Sequence, residues 1–174
     1  MVTNQKCSKC GRKATINLSY DKRNYCDSCF LKMIEKRVRK DIRTSNKIEP
    51  RGSVKLLNDD SKEFFLTKQL LKNIFGKHLT IKEVKKASKE TLIPTNLDRE
   101  VKEKLEIYLE NKKEKPSRKK ILHNVLEEEI IEMCRIKKIK IGKKEKKNSL
   151  IESIEKPYPG TKFALAKSLK KIFP

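Results

Sequence analysis

Tryptophan is absent, and the 174 residues include only 5 glycines, 2 histidines and 23 acidic residues, the last set against 45 lysines and arginines. Each shortage excludes something. No apolar run approaches the roughly 18 residues of a membrane span, so no membrane association through a spanning helix is expected. The first ten residues carry no apolar stretch, so a secretory signal, and with it a disulfide framework, is not expected, and a cytoplasmic location is. No glycine-rich loop of the Walker type is present to wrap a phosphate in backbone N–H groups. His78 and His123 stand alone, and no Ser/His/Asp or Cys/His arrangement can be built around either. The apolar set, 36% of the chain, is below the roughly 45–50% of ordinary globular proteins. Full disorder is nonetheless excluded, because apolar residues recur at helical spacing through most of the chain.

Positive charge is what the chain has in excess. A net charge of +22 attracts polyanions, and nucleic acid is the foremost of these in a cell. The excess is uneven. Acids and bases nearly cancel between Asp60 and Glu110. The surplus sits in Lys32–Lys47, Lys112–Lys120 and Arg135–Lys147. The first run carries arginines on a predicted helix, and the planar guanidinium suits phosphate better than an ammonium. Candidate RNA contacts are therefore Lys36, Arg37, Arg39, Lys40 and Arg43, joined by Lys143 and Lys144 in the third run and Lys167 and Lys170 on the last helix.

Short strands and helices alternate, which points to an α/β fold with a small sheet. Lys13–Tyr20 alternates like a strand. Asp27 is placed to cap a helix over Ser28–Ser45, whose apolar stripe is Phe30, Met33, Ile34, Val38 and Ile42. Ser53–Leu57 reads as a strand, and Asn58–Ser61 as a turn and N-cap before a helix reaching Phe75. A short helix is expected at Lys82–Lys89, a strand at Thr91–Pro94, and a helix at Leu97–Asn111 capped by Thr95 or Asn96. Lys112–Lys120 reads as a basic linker, Leu126–Lys137 as a helix, Lys138–Ile141 as a strand, and Gly142–Lys147 as a basic loop. Ser149–Glu155 forms a further helix. The final one is capped by Thr161, with Phe163, Leu165, Leu169 and Ile172 inward. The expected division is a finger at residues 1–30, a basic connecting helix at 31–48 and a larger domain at 49–174.

Cys7, Cys10, Cys26 and Cys29 follow the pattern C-x2-C-x15-C-x2-C. Two thiolates two residues apart can reach one ion from a tight knuckle, and Gly11 permits the turn. Four thiolates close the coordination shell, so one structural zinc ion is the favoured reading. An iron–sulfur cluster, which four thiolates also suit, is placed well behind it. Paired disulfides and a redox dithiol are disfavoured by the missing signal and the tandem spacing. Cys134, on the apolar face of a predicted helix, reads as a buried small hydrophobe.

The order of these segments resembles the PP-loop tRNA 2-thiolation family of wobble-uridine thiolases. A four-cysteine finger runs into a helix, Ile34–Lys40, much like that family's. Pro159-Gly160-Thr161-Lys162-Phe163 matches its PGTKF-like segment. The resemblance implies a reduced PP-loop-like domain, of the adenine nucleotide alpha hydrolase type, behind the finger. It also implies what is missing. The family's SGGKDS loop is replaced by Leu57-Asn58-Asp59-Asp60-Ser61-Lys62. Its GHNLDDEA segment is reduced to Asn96, Leu97, Asp98 and Glu100. The central CxxC is absent, which by this resemblance implies a loss between Phe75 and Lys82, and a later catalytic cysteine has no counterpart near Lys143–Asn148.

The expectation is thus a pseudoenzyme with no catalytic residues and no ATP. It would be a zinc-bearing, RNA-binding, non-catalytic subunit of a tRNA 2-thiolation complex, in a hetero-oligomer with a catalytic paralogue and tRNA or another RNA. The alternative is a free-standing zinc-ribbon RNA-binding protein with no part in thiolation.

Overall fold

The computed structural model describes residues 5–113, 119–141 and 148–173. The N-terminal part is a hairpin, β1 (Ile16–Leu18) paired antiparallel with β2 (Arg23–Tyr25), followed by the long helix α1 (Asp27–Thr44). Phe30, Ile34, Val38 and Ile42 of α1 are buried on one stripe, as their spacing predicts. Asp27 does not cap this helix: Cys26 is the N-cap, and the Asp27 carboxylate instead accepts from the Thr15 hydroxyl at 2.6 Å and from Arg135 at 2.9 Å.

The second part is a four-stranded parallel sheet in the spatial order β4-β3-β5-β6, made of β3 (Ser53–Leu57), β4 (Thr80–Val84), β5 (Thr91–Pro94) and β6 (Lys120–Ile121). Helix α2 (Lys62–Phe75) and a 3-10 turn at Gly76–His78 join β3 to β4, and α3 (Leu97–Leu109) lies between β5 and β6 in the chain. The expected caps are present, with Ser61 Oγ accepting from Phe64 N–H and Asn96 Oδ1 from Arg99 N–H. Helices α4 (Glu127–Lys137), α5 (Ser149–Glu155) and α6 (Thr161–Ile172) complete the fold. No described helix is long and apolar enough to cross a membrane.

Four local expectations are corrected. Lys82–Lys89 is not a helix: β-branched Thr80, Ile81 and Val84 pair alongside β3 as β4, with Lys82 and Glu83 exposed on a sheet edge. Lys138–Ile141 is not a strand, because Lys138 turns left-handed at φ 54° to end α4 and no strand among the described residues pairs with it. Thr161 does not cap α6. Gly160 (φ 98°) is the N-cap, and the Glu155 carboxylate accepts from the backbone N–H groups of Gly160 (2.7 Å) and Lys162 (2.8 Å). Ile172 is exposed rather than inward.

The link between β4 and β5 is short. Residues 76–82 form an intact turn and strand start. Parallel strands ordinarily need a crossover of a dozen or more residues, yet only residues 85–90 join β4 to β5 across β3.

One apolar core runs from the hairpin and α1 (Leu18, Tyr25, Phe30, Ile34, Val38) into the sheet and its helices (Leu56, Phe64, Leu71, Leu92, Ile121, Met133). A second, smaller cluster joins α3, α5 and α6 through Leu97, Val101, Leu126, Ile151 and Leu169. Cys134 belongs to the main core, and burial pushes its thiol up to about 11.

Candidate functional site

Two knuckles bring the four cysteines together. In the first, Gly11 adopts φ 72° and its N–H donates to the Cys7 carbonyl at 2.9 Å. In the second, Cys26 caps α1 and Cys29 lies in its first turn, where the positive helix end favours thiolate. The Ser8 N–H donates to the Asn24 carbonyl and ties the knuckles to each other. All four Sγ atoms lie within 4.8 Å of one another, and those of Cys10 and Cys26 are 3.6 Å apart. Burial raises the Cys7 thiol, but backbone N–H groups of Cys26, Lys9 and Cys10 more than offset this and bring it down to about 6. Hydrogen bonding to Cys10 and Cys26 drives Cys29 up to about 12. Four crowded sulfurs therefore do not all ionise by themselves, and a bound cation is what would release the remaining protons. Among the described residues this is the one group of three or more His, Cys, Asp or Glu ligands so gathered.

The finger is fastened to the rest of the chain by a buried ion pair. Glu129, on α4, is fully buried, and Arg37 reaches its two oxygens at 3.0 and 2.7 Å. Tyr20, just after β1, donates its hydroxyl to Glu129 at 2.6 Å and accepts from Arg37 at 2.8 Å. The guanidinium also donates to the Asn124 carbonyl and lies 5.5 Å from the centre of the Phe163 ring, which meets Tyr20 edge-on. Burial, then the Glu129 charge, holds the Tyr20 phenol well above its ordinary range. Arg37, expected as an RNA contact, is thus turned inward, with its guanidinium engaged by Glu129, Tyr20 and Asn124. Lys36, Arg39, Lys40 and Arg43 are exposed on α1, with Arg39 paired to Glu35 at 2.7 Å. Lys167 and Lys170 are exposed on α6. Lys143 and Lys144 lie outside the described residues.

The strand order reverses between β3 and β5, and the carboxyl ends of such strands are where open α/β sheets place their ligands. Here that crevice is filled from within. No glycine stands between Gly52 and Gly76. Asn58 donates to Glu83 at 2.8 Å, and Asp59 accepts from both the N–H and the hydroxyl of Ser61. Behind this turn, Lys62 is buried against Glu63 (3.3 Å) and Glu127 (2.8 Å), while the Asn96 amide donates to the same two carboxylates at 3.0 and 2.8 Å. Lys162, from the PGTKF-like segment, bridges Asp98 and Glu152, each at 2.6 Å. An adjoining cavity of about 290 Å³ is lined by Asp98, Glu127, Glu128, Glu152 and Glu155 together with Arg99, Lys102 and Lys162. Carboxylates in this number disfavour a polyphosphate.

One cluster had no signal in the sequence. His123, 8% exposed, has the Lys47 ammonium 3.4 Å from Nδ1, the Lys170 ammonium 3.4 Å from Nε2 and the Asp41 carboxylate 3.5 Å from Nε2. These residues come from three distant parts of the chain, around residues 41–47, 123 and 170, so no spacing could announce them.

The fold and finger define a class. Residues 6–31 match the family described as the N-terminal LIM domain of the 2-thiouridine synthetase TtuA. The whole chain superposes on the U34-tRNA thiolase NcsA from Methanococcus maripaludis, solved with its [4Fe-4S] cluster. The TM-score is 0.78 at 15% identity, covering 99% of this chain and 89% of that one. No curated protein sequence matches the chain. The two matches bear out the resemblance: this chain has the finger and the fold of the PP-loop tRNA thiolases.

The cofactor expectation is corrected by the same finding. A zinc ion with an iron–sulfur cluster set aside does not stand, because the solved thiolase of this fold carries a [4Fe-4S] cluster. The four cysteines are a metal-binding set, and their spacing tests the fit. Metal–thiolate bonds of about 2.3 Å place four sulfurs around a single centre, close to one another. A cubane holds its thiolates on four separate irons and farther apart. With every Sγ within 4.8 Å of the others, the knuckles would have to spread to take a cubane.

Proposed function

We propose that this chain is a non-catalytic, RNA-binding protein of wobble-uridine 2-thiolation that works beside a catalytic thiolase of the same fold. One observation carries the reading. The crevice at the carboxyl ends of β3 and β5 is occupied by the chain's own Lys62–Glu63–Asn96–Glu127 network, under a turn that holds Asp59 and Asp60 in place of glycines. A nucleotide phosphate there would meet carboxylates instead of backbone N–H groups. The shortened link at residues 85–90 supports the same reading, since it leaves no crossover to carry a catalytic CxxC. The exposed cations of α1 and α6 supply phosphate contacts with salt-sensitive affinity.

Affinity purification at low salt, with bound protein and RNA identified together, tests this. A full-length thiolase and tRNA are the expected companions, and the isolated chain is expected to release no pyrophosphate from ATP. ATP-dependent thiolation by the isolated chain, or recovery of RNA with no thiolase, would overturn it. Loss of tRNA 2-thiouridine in cells lacking the chain separates this role from that of a free-standing RNA-binding protein.

A further inference from the structure

The His123 cluster adjoins a cavity of about 210 Å³ whose floor is Leu97, Val101, Phe163, Ala166 and Leu169 and whose rim carries Glu100, Lys104, Lys167 and Lys170. The charges on this rim do not balance. A neutral imidazole has one N–H and one lone pair, so it can accept from one of the two ammonium groups that face it and not from both. Lys47 already holds Asp41 at 2.8 Å, and Lys104 and Lys120 both pair with Glu100. Lys120 also meets Glu103 at the outer edge. Lys170 has no carboxylate within 4.0 Å among the described residues. Lys104, Lys167 and Lys170 thus line the cavity against Glu100, and Lys47 and Asp41 meet the His123 ring from outside the lining. The two ammonium groups closest to His123 have one carboxylate, Asp41, between them. Burial, then the Lys47 charge, pushes His123 down to about 4, so the ring is neutral at pH 7 and keeps one N–H to donate.

We propose that this cavity is a nucleotide subsite for RNA, in which one phosphate accepts from Lys170 and from the His123 Nε2–H, while Nδ1 accepts from Lys47 and the adjoining base lies on the apolar floor. Arg43 and Lys40 are exposed on α1, the helix that carries Asp41. The cavity accommodates a single unstacked base, not a duplex, so single-stranded RNA is the substrate class. This rests on the RNA-binding role given above.

The two histidines make the test direct. Imidazole resonances of the full-length protein are followed by NMR at pH 7 during titration with inorganic phosphate, with uridine monophosphate and with a single-stranded octauridylate. Both uridine ligands are expected to shift His123 and leave exposed His78 unmoved, phosphate more weakly. Lys170→Gln, at an exposed position, should weaken octauridylate binding about tenfold, the loss of one charged hydrogen bond. Lys72→Gln on α2 serves as the general charge control. Octauridylate binding that leaves His123 unmoved, or an equal loss in both variants, overturns the subsite and leaves the RNA-binding role standing. Uridine monophosphate shifting His123 while no RNA binds supports the phosphate chemistry and overturns the RNA-binding role.

Discussion

Replacing Arg37 by Met separates an inward structural role from an RNA contact. The substitution keeps much of the aliphatic packing and removes the charge. It leaves the Glu129 carboxylate, which has no solvent exposure, with the Tyr20 hydroxyl and the Leu126 N–H as its remaining partners. Breaking a buried pair from one side costs about 3–5 kcal/mol, and the 24% exposure of Arg37 places this case at about 3 kcal/mol. At about 2–4 °C per kcal/mol for a chain of this size, the midpoint should fall by roughly 10 °C. Urea and thermal unfolding with the finger's metal bound measure it, beside RNA affinity at fixed salt. Adding Glu129→Gln to the Met variant should recover part of the loss, because the orphaned charge goes with it. A change below about 1 kcal/mol accompanied by a clear drop in RNA affinity would refute the inward assignment.

Four further outcomes are expected. His123 has its pKa lowered from 6.5 to about 4, so the unfolded chain takes up a proton first as pH falls. Its contribution is complete above pH 6.5 and is lost progressively down to about 4, by about 3 kcal/mol in total, and His123→Gln should flatten that slope in urea titrations between pH 7 and 4. Removing the metal with a chelator, or Cys26→Ser, should abolish amide-exchange protection in the Cys7–Gly11 knuckle while α1 and the sheet, which share the main core, stay protected. Lys62→Met should destabilise by about 3 kcal/mol in urea, because Glu63 and Glu127 lose their buried counter-charge. Gly160→Ala should cost about 1 kcal/mol by calorimetry, for the strain of φ 98° at the start of α6.

Much of this molecule is legible in one dimension. Cys7, Cys10, Cys26 and Cys29 announce a metal site because ligand spacing is a local property, set by the reach of a knuckle. The α1 stripe, the Ser61 and Asn96 caps and the strands β3 and β5 follow from periodicity and from side chains that bond within three residues. The replacement of glycines by Asn58, Asp59 and Asp60 is equally plain in the sequence. What the residues alone could not settle is whatever depends on a partner far along the chain. Thr80–Val84 became a strand because β3 lay beside it, and Lys138–Ile141 did not because nothing did. Arg37 has the same charge as Arg39 and Arg43, and only the approach of Glu129, 92 residues away, turned it from solvent into the core. His123 acquired its charged environment in the same way, from Asp41 and Lys47 at the end of α1 and Lys170 on α6. Local chemistry was fixed by sequence, while charge compensation, which requires two groups to be desolvated together, was decided only when the helices packed.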